Sequence, residues 1–126
     1  MNWSILVVDD EANTVEFLRI TLEMSGYEVL EALDGATALK QVAEHQPDLV
    51  LLDVMMPKMD GLAVCRRLRA EPATADLPIV ILSARTSVEA IREGLAAGAT
   101  RYLTKPITRD NLLETIREVL NPLFTA

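Results

Sequence analysis

The stretch DLVLLDVMMP, residues 48–57, decides how this chain folds. Four aliphatic residues run without a polar break from Leu49 to Leu52 and stop at a carboxylate, Asp53. A short apolar run of this kind is typical of a strand that is buried on both faces. An acid at the end of such a strand indicates a site at the rim of the core, where a rigid strand holds the side chain.

Aliphatic runs of the same kind recur along the chain and alternate with segments of helical periodicity. The other four runs are Ile5–Val8, Tyr27–Leu30, Ile79–Leu82 and Tyr102–Leu103. Four segments between the runs and one after the last run repeat apolar residues at the spacing of one helix face, and they begin near Val15, Ala38, Leu62, Val88 and Leu112. Five βα units in series predict a doubly wound α/β fold, in which helices cover both faces of a parallel five-stranded sheet.

Residues that begin and end helices agree with this reading. Gly26 suits the C-terminal cap of the first helix. Thr86 and Glu89 have the spacing of a capping box, which predicts that Thr86 caps the fourth helix. Thr108 can cap the fifth helix.

Length, cysteine content and charge limit the class of protein. The chain has 126 residues, a single cysteine (Cys65) and a net charge of −7. No apolar stretch approaches the ~20 residues that a membrane span needs, and the acidic balance argues against nucleic-acid binding by this chain alone. We expect one cytoplasmic domain over residues 1–126, with no output domain, no membrane contact and no direct nucleic-acid contact.

The expected strand ends carry reactive side chains. Ligands of an open parallel sheet bind at the carboxyl ends of its strands. There the first strand ends in Asp9 and Asp10, the third in Asp53, the fourth in Ser83, and the fifth leads to Lys105. Three acids, a hydroxyl and an ammonium are therefore predicted to converge at one edge.

Three carboxylates in one small site repel one another. At ~5 Å and an effective dielectric constant near 20, each pair costs about 3 kcal/mol. One charge from Lys105 and two from a divalent cation would balance three acids, and all-oxygen ligands suit Mg²⁺. Such a site favours attack of Asp53 on phosphorus, with Lys105 and Ser83 holding the phosphoryl oxygens.

Taken in order, these motifs resemble those of a bacterial response-regulator receiver domain over residues 4 to 121, approximately. The resemblance rests on the acidic pair Asp9-Asp10, the acceptor Asp53, Pro57 and Gly61 in the DVMMPKMDG loop, Ser83-Ala84, Tyr102 and Lys105-Pro106. It implies a flavodoxin-like fold with strand order 2-1-3-4-5 and five helices. It also implies a cis Lys105-Pro106 bond, and a two-component regulatory domain rather than an enzyme.

The resemblance implies roles for the acidic residues. Asp53 accepts a phosphoryl group from a phosphohistidine of a sensor histidine kinase or phosphotransfer protein. Asp10, Asp53 and the backbone carbonyl of Met55 ligate Mg²⁺ directly, and Asp9 acts mainly through water.

The resemblance also implies a switch. Ser83 and Lys105 bind the phosphoryl oxygens. On phosphorylation Ser83 is drawn inward and Tyr102 rotates into the vacated space. The face formed by the fourth helix, fifth strand and fifth helix then repacks, and a downstream output domain or protein partner reads it.

The sequence departs from relatives of this family at three positions. Many transcription-factor receivers carry two acids before the switch tyrosine, whereas this chain has Thr100 and Arg101. The sequence therefore gives less reason to expect that this domain dimerises through the charge pairs that those relatives use. Met55 cannot orient an attacking water by hydrogen bonding, so we expect slow self-dephosphorylation.

Three other functions are compatible with a carboxylate at the end of a buried strand. An aspartyl-phosphate phosphatase uses a second acid two residues after its nucleophile, and here that residue is Met55. A flavin or nucleotide carrier needs a hydroxyl- or glycine-rich cradle after the first strand, and DDEANT is acidic instead. A phosphorylation-independent docking module of the same fold stays as the alternative, although the complete acidic set and Lys105 argue against it.

Overall fold

A parallel sheet of five strands forms the centre of the molecule in the computed structural model, which describes residues 2–121. The strands are β1 (Ser4–Val8), β2 (Glu28–Ala32), β3 (Leu49–Asp53), β4 (Ile79–Ser83) and β5 (Arg101–Thr104). Their order across the sheet is β2-β1-β3-β4-β5, and every pair is parallel. The predicted fold class and strand order are confirmed. The prediction that no output domain follows the fifth helix concerns residues 122–126, which lie outside the described part.

Five helices cover both faces of the sheet. They are α1 (Ala12–Met24), α2 (Gly35–His45), α3 (Gly61–Ala70), α4 (Val88–Ala96) and α5 (Arg109–Leu120), and a 3₁₀ turn (Pro72–Thr74) follows α3. One buried cluster joins the sheet to α1 and α5, and the other joins it to α2 and α3. Within residues 2–121, none of the helices has the length and apolar character that crossing a membrane requires.

The register of the central strands places the acids side by side. Val8 at the end of β1 pairs with Leu52 of β3, so Asp9 follows one strand where Asp53 ends the other. In the sheet, β2 lies on one side of β1 and β3 lies on the other, so the chain reverses its direction across the sheet after β2. This reversal opens the crevice in which doubly wound sheets bind ligands. All five residues of β3 and of β4 are buried, which fixes the position of the edge they support.

The loop after β3 is held tightly against the strand by Gly61. The Gly61 N–H donates to the Val54 carbonyl oxygen at 3.0 Å. A Cβ atom at position 61 would collide with the backbone oxygen of Asp53 and with the Cα atom of Val54. Only glycine therefore lets α3 begin this close to the end of β3.

The helix caps agree with the sequence prediction at one of two threonines. Thr108 caps α5, since its Oγ1 atom accepts from the Asn111 N–H at 3.1 Å. The prediction for Thr86 is wrong, because Ser87 caps α4 with its Oγ atom 3.1 Å from the Ala90 nitrogen. Two adjacent hydroxyl residues both had capping chemistry, and the extended backbone of Ser87 decides between them.

Removal of the α3 cap is expected to weaken the fold. The Asp60 Oδ1 atom accepts from the Ala63 N–H at 2.9 Å. We expect Asp60→Ala to lower the free energy of unfolding by about 1 kcal/mol, because that N–H loses its partner. Urea denaturation followed by Trp3 fluorescence measures the change. Asp60→Asn keeps an acceptor oxygen and is the matched control, so equal losses in both variants would contradict the capping role.

Candidate functional site

Three carboxylates meet where β1 and β3 end. One oxygen atom from each of Asp9, Asp10 and Asp53 lies within 4.8 Å of the other two. Asp9 and Asp53 are buried, with 3% and 6% of their surface exposed, and Asp10 is exposed. The predicted convergence of the acids is present, and two of the three are desolvated, which makes their mutual repulsion costly.

Asp9 is held by contacts to both of its oxygens. Its Oδ1 atom accepts from the Glu11 N–H at 2.9 Å, and its Oδ2 atom accepts from the Lys105 ammonium at 3.0 Å. The Asp9 backbone N–H donates to the Ala32 carbonyl oxygen of β2 at 3.2 Å. These bonds fix the buried carboxylate in place and give it a charged partner.

The Asp53 carboxyl group lies against the same lysine. Its Oδ1 atom is 3.3 Å from the Met55 nitrogen, which donates to it, and 3.8 Å from the Lys105 Nζ atom. Burial raises the pKa of Asp53 above its ordinary value, and the negative charge of Asp9 raises it further. The Lys105 ammonium opposes this rise, although it is nearer to Asp9.

Lys105 reaches the carboxylates from the turn after β5. Its backbone N–H donates to the Ser83 carbonyl oxygen at 2.8 Å, which continues the pairing of β4 and β5 by one residue. The Lys105-Pro106 peptide bond is cis, as the resemblance implied. One ammonium faces three carboxylates, so the cluster keeps a negative charge. Hard carboxylate donors this close together fit a divalent cation that prefers oxygen ligands.

Ser83 is fully buried at the end of β4, and its side chain holds the next loop. The Ser83 Oγ atom accepts from the Arg85 N–H at 3.1 Å. The Tyr102 hydroxyl donates to the carbonyl oxygen of the same Arg85 at 2.8 Å. The backbone of Arg85 therefore joins the serine to the tyrosine, and sequence reasoning missed this link because nothing about residue 85 marked it.

The structure separates the predicted residues into two groups. Asp9, Asp10, Asp53 and Lys105 form one cluster, and the Met55 backbone contributes an N–H to it. The second group surrounds β4 and β5. Ser83 lies one position beyond Leu82, the partner of Asp53 in the sheet, whereas Tyr102 pairs with Ile81 and faces α4.

Comparison with known proteins agrees with these observations. The family profile described as a response regulator receiver domain matches residues 5–117. The response regulator MprA of Mycobacterium sp. (strain KMS) is 50% identical over 116 residues, covering 92% of this chain and 50% of that protein. The DNA-binding dual master transcriptional regulator RpaA of Synechocystis sp. is 40% identical over 116 residues, covering 92% of this chain and 48% of that protein. The chain thus spans about half the length of the curated relatives it matches.

Solved structures show the same architecture. The Vibrio cholerae chemotaxis protein CheY4 matches with a TM-score of 0.91 at 36% identity, covering 95% of this chain and 100% of that one. A response regulator described as putative, from Chloroflexus aurantiacus, matches with a TM-score of 0.91 at 37% identity, covering 95% and 98%. The resemblance seen in the motifs is confirmed, and the chain belongs to the response regulator receiver domains, a family of phosphorylation-type signalling domains.

Proposed function

We propose that this domain is a switch in which Asp53 accepts a phosphoryl group. The donor is a phosphohistidine on a sensor histidine kinase or a phosphotransfer protein. The observation that supports this most strongly is the position of Asp53, which ends a fully buried strand within 4.8 Å of two more carboxylates and beside Lys105. A structural acid would have little reason to stand in such a repulsive cluster.

The contacts of Asp53 suggest which oxygen reacts. The Met55 N–H and the Lys105 ammonium both contact Oδ1. The Oδ2 atom is then the one that attacks phosphorus. One O–P bond forms, the N–P bond of the phosphohistidine breaks, and the imidazole leaves with the electron pair of that bond. The raised pKa of Asp53 makes its ionised form a more basic nucleophile.

The acidic cluster is the proposed site of Mg²⁺. Asp10, Asp53 and the backbone carbonyl of Met55 would hold the ion directly, and Asp9 would act mainly through water. When bound, Mg²⁺ offsets the negative charge of the carboxylates and of the incoming phosphoryl group. Asp9 is already paired with Lys105 at 3.0 Å, and this pairing supports its outer role.

Ser83 and Lys105 are the proposed ligands of the phosphoryl oxygens. Lys105 carries a mobile positive charge and is partly exposed, so it can turn from Asp9 to a new anion. The Ser83 hydroxyl group donates a hydrogen bond to a phosphoryl oxygen. This change reaches Tyr102 and repacks the face of α4, β5 and α5, because Arg85 joins the serine to the tyrosine.

The face formed by α4, β5 and α5 is proposed to bind an output domain or a separate protein. The curated relatives are about twice as long as this chain, and one of them is named as a DNA-binding transcriptional regulator. The greater length of the relatives and that name support a separate output domain. In this proposal the output domain contacts DNA, and the acidic receiver domain does not. A docking module that works without phosphorylation is the alternative, and the next experiment separates the two.

Acetyl phosphate is expected to modify the protein once. Intact mass after incubation with Mg²⁺ should show one added phosphoryl group, and omission of Mg²⁺ should abolish most of the addition. Asp53→Asn is the control and should show no addition, since an amide is not a nucleophile for phosphorus. An unmodified but folded wild-type protein would favour the docking module.

Loss of one acid is expected to stabilise the protein without Mg²⁺. The ordinary pKa of the Asp53 carboxyl group is 3.8, and burial in the folded chain raises this pKa. The folded chain thus binds the proton more tightly than the unfolded chain, and this contribution to stability disappears as the pH rises through the raised pKa. At pH 7 we expect Asp53→Asn to raise the free energy of unfolding by about 1–2 kcal/mol, because one of three repelling charges is gone.

Mg²⁺ should reverse that order, because binding to the folded state adds stability. Urea denaturation at matched ionic strength, with MgCl₂ or NaCl, measures both effects. Wild-type protein should gain more from Mg²⁺ than Asp53→Asn does. Equal gains in the two proteins would place the ion elsewhere.

Met55 is expected to prolong the life of the phosphorylated form. Its exposed side chain has no hydrogen-bond donor and only a weakly accepting sulfur, so it does little to orient an attacking water. We expect Met55→Asn to speed loss of the phosphoryl group about fivefold, the value of one modest hydrogen bond, and Met55→Leu to leave the rate unchanged. The decay of phosphorylated protein, followed by mass after removal of acetyl phosphate, tests this. Equal rates in all three proteins would exclude a role for residue 55.

A further inference from the structure

A glycine in the last turn of α4 lies against the ring of Tyr102. Gly94 is buried, and a Cβ atom there would come within 2.7 Å of Tyr102 Cδ2 and 3.1 Å of Ile81 Cδ1. The first distance is too short for a real carbon contact, and the second is tight enough that Ile81 would have to shift slightly. The ring therefore occupies the space that a side chain at position 94 would need.

The backbone gives no reason for glycine at this position. Gly94 lies within the continuous helix Val88–Ala96, in contrast to Gly26 and Gly98, whose φ angles are +94° and +113°. Alanine is the better helix former, by about threefold in the equilibrium constant for an interior position. Helix formation alone would thus favour replacing this glycine, and the contact with Tyr102 opposes it.

The position of the ring determines what the hydroxyl group can reach. Tyr102 is half-buried, and its hydroxyl donates to the Arg85 carbonyl oxygen at 2.8 Å. The Arg85 N–H donates to Ser83 Oγ at 3.1 Å, and the Arg85 guanidinium is 3.8 Å from the Glu93 carboxylate beside Gly94. If the ring moved away from α4, its hydroxyl group would move away from the Arg85 carbonyl oxygen.

We propose that Gly94 is the positioning residue for Tyr102. The absent side chain forms a slot on α4 that holds the ring where its hydroxyl bonds to Arg85. This inference rests on the proposed function, in which Ser83 senses the phosphoryl group. It adds that the slot sets how strongly Tyr102 is coupled to Ser83.

A double-mutant cycle tests the slot. Gly94→Ala should change the folding equilibrium constant in opposite directions with and without the Tyr102 ring. Gly94→Ala in the wild-type protein should lower the folding equilibrium constant about tenfold, because the added methyl group overpacks against the ring. In a Tyr102→Ala background the same change should raise the constant about threefold, because the ring contact is gone, the end of the Ile81 side chain can shift into the space that the ring leaves, and helix propensity then dominates. Urea denaturation followed by the fluorescence of Trp3, the single tryptophan, gives both constants. The pair Arg92→Ala and Arg92→Gly, at an exposed position inside the same helix, measures helix propensity alone.

Nuclear magnetic resonance of ring-labelled tyrosine tests the position of the ring itself. The chain has two tyrosines, so the ring signals are easily assigned. We expect a nuclear Overhauser effect between the Tyr102 ring and the Gly94 α-protons, and Gly94→Ala should shift the ring signals towards those of an exposed tyrosine. Equal destabilisation by Gly94→Ala in both backgrounds, or no ring contact in the wild-type protein, would overturn the proposal.

The two proposals fail in different ways. With Mg²⁺ and acetyl phosphate, Gly94→Ala should gain the same mass as wild type, but its Tyr102 signals should respond less to the modification. An equal response in both proteins would overturn the coupling role of Gly94. Absence of the added mass in both proteins would overturn phosphorylation of Asp53, whereas the sign reversal and the ring contact would still establish the slot.

Discussion

The repulsion among Asp9, Asp10 and Asp53 is the constraint on which the rest of the structure depends. Two of these carboxylates are buried, and a buried charge is costly unless it is paired. The buried strands β1 and β3 hold the acids together with little freedom to separate. Lys105 offsets part of the repulsion through its 3.0 Å contact with Asp9. The negative charge that remains favours a divalent cation, and the proposed Mg²⁺ site rests on that charge.

The fold was predictable because its strands are simple in sequence. A strand buried on both faces needs a continuous aliphatic run, and the amphipathic helices between the runs need a different period, so the two patterns do not overlap. Element ends were less predictable. The second strand begins at Glu28 rather than Tyr27, and it extends to Ala32. Thr86 and Ser87 have the same capping chemistry, and the choice between them depends on backbone angles that the sequence does not display.

The site was predictable to the extent that strand ends determine it. The acids and Lys105 come together because parallel strands share one carboxyl edge, although Lys105 and Asp9 are 96 positions apart. The roles of Arg85 and Gly94 were not predictable in this way. Arg85 contributes its backbone, which every residue possesses, and Gly94 contributes an absent side chain. Neither leaves a mark in composition or spacing, and each becomes visible only when β5 is placed beside β4 and α4.

The link between Ser83 and Tyr102 depends on the backbone of residue 85 and not on its side chain. The Arg85 N–H and carbonyl group make the bonds to Ser83 and Tyr102, so almost any side chain at position 85 preserves them. Proline is the exception, because it has no N–H to donate. The side chain at this position can thus vary, while the two backbone bonds that link Ser83 to Tyr102 stay intact. Gly94 has no such freedom, because its contribution is space, and every other residue would take that space from the ring.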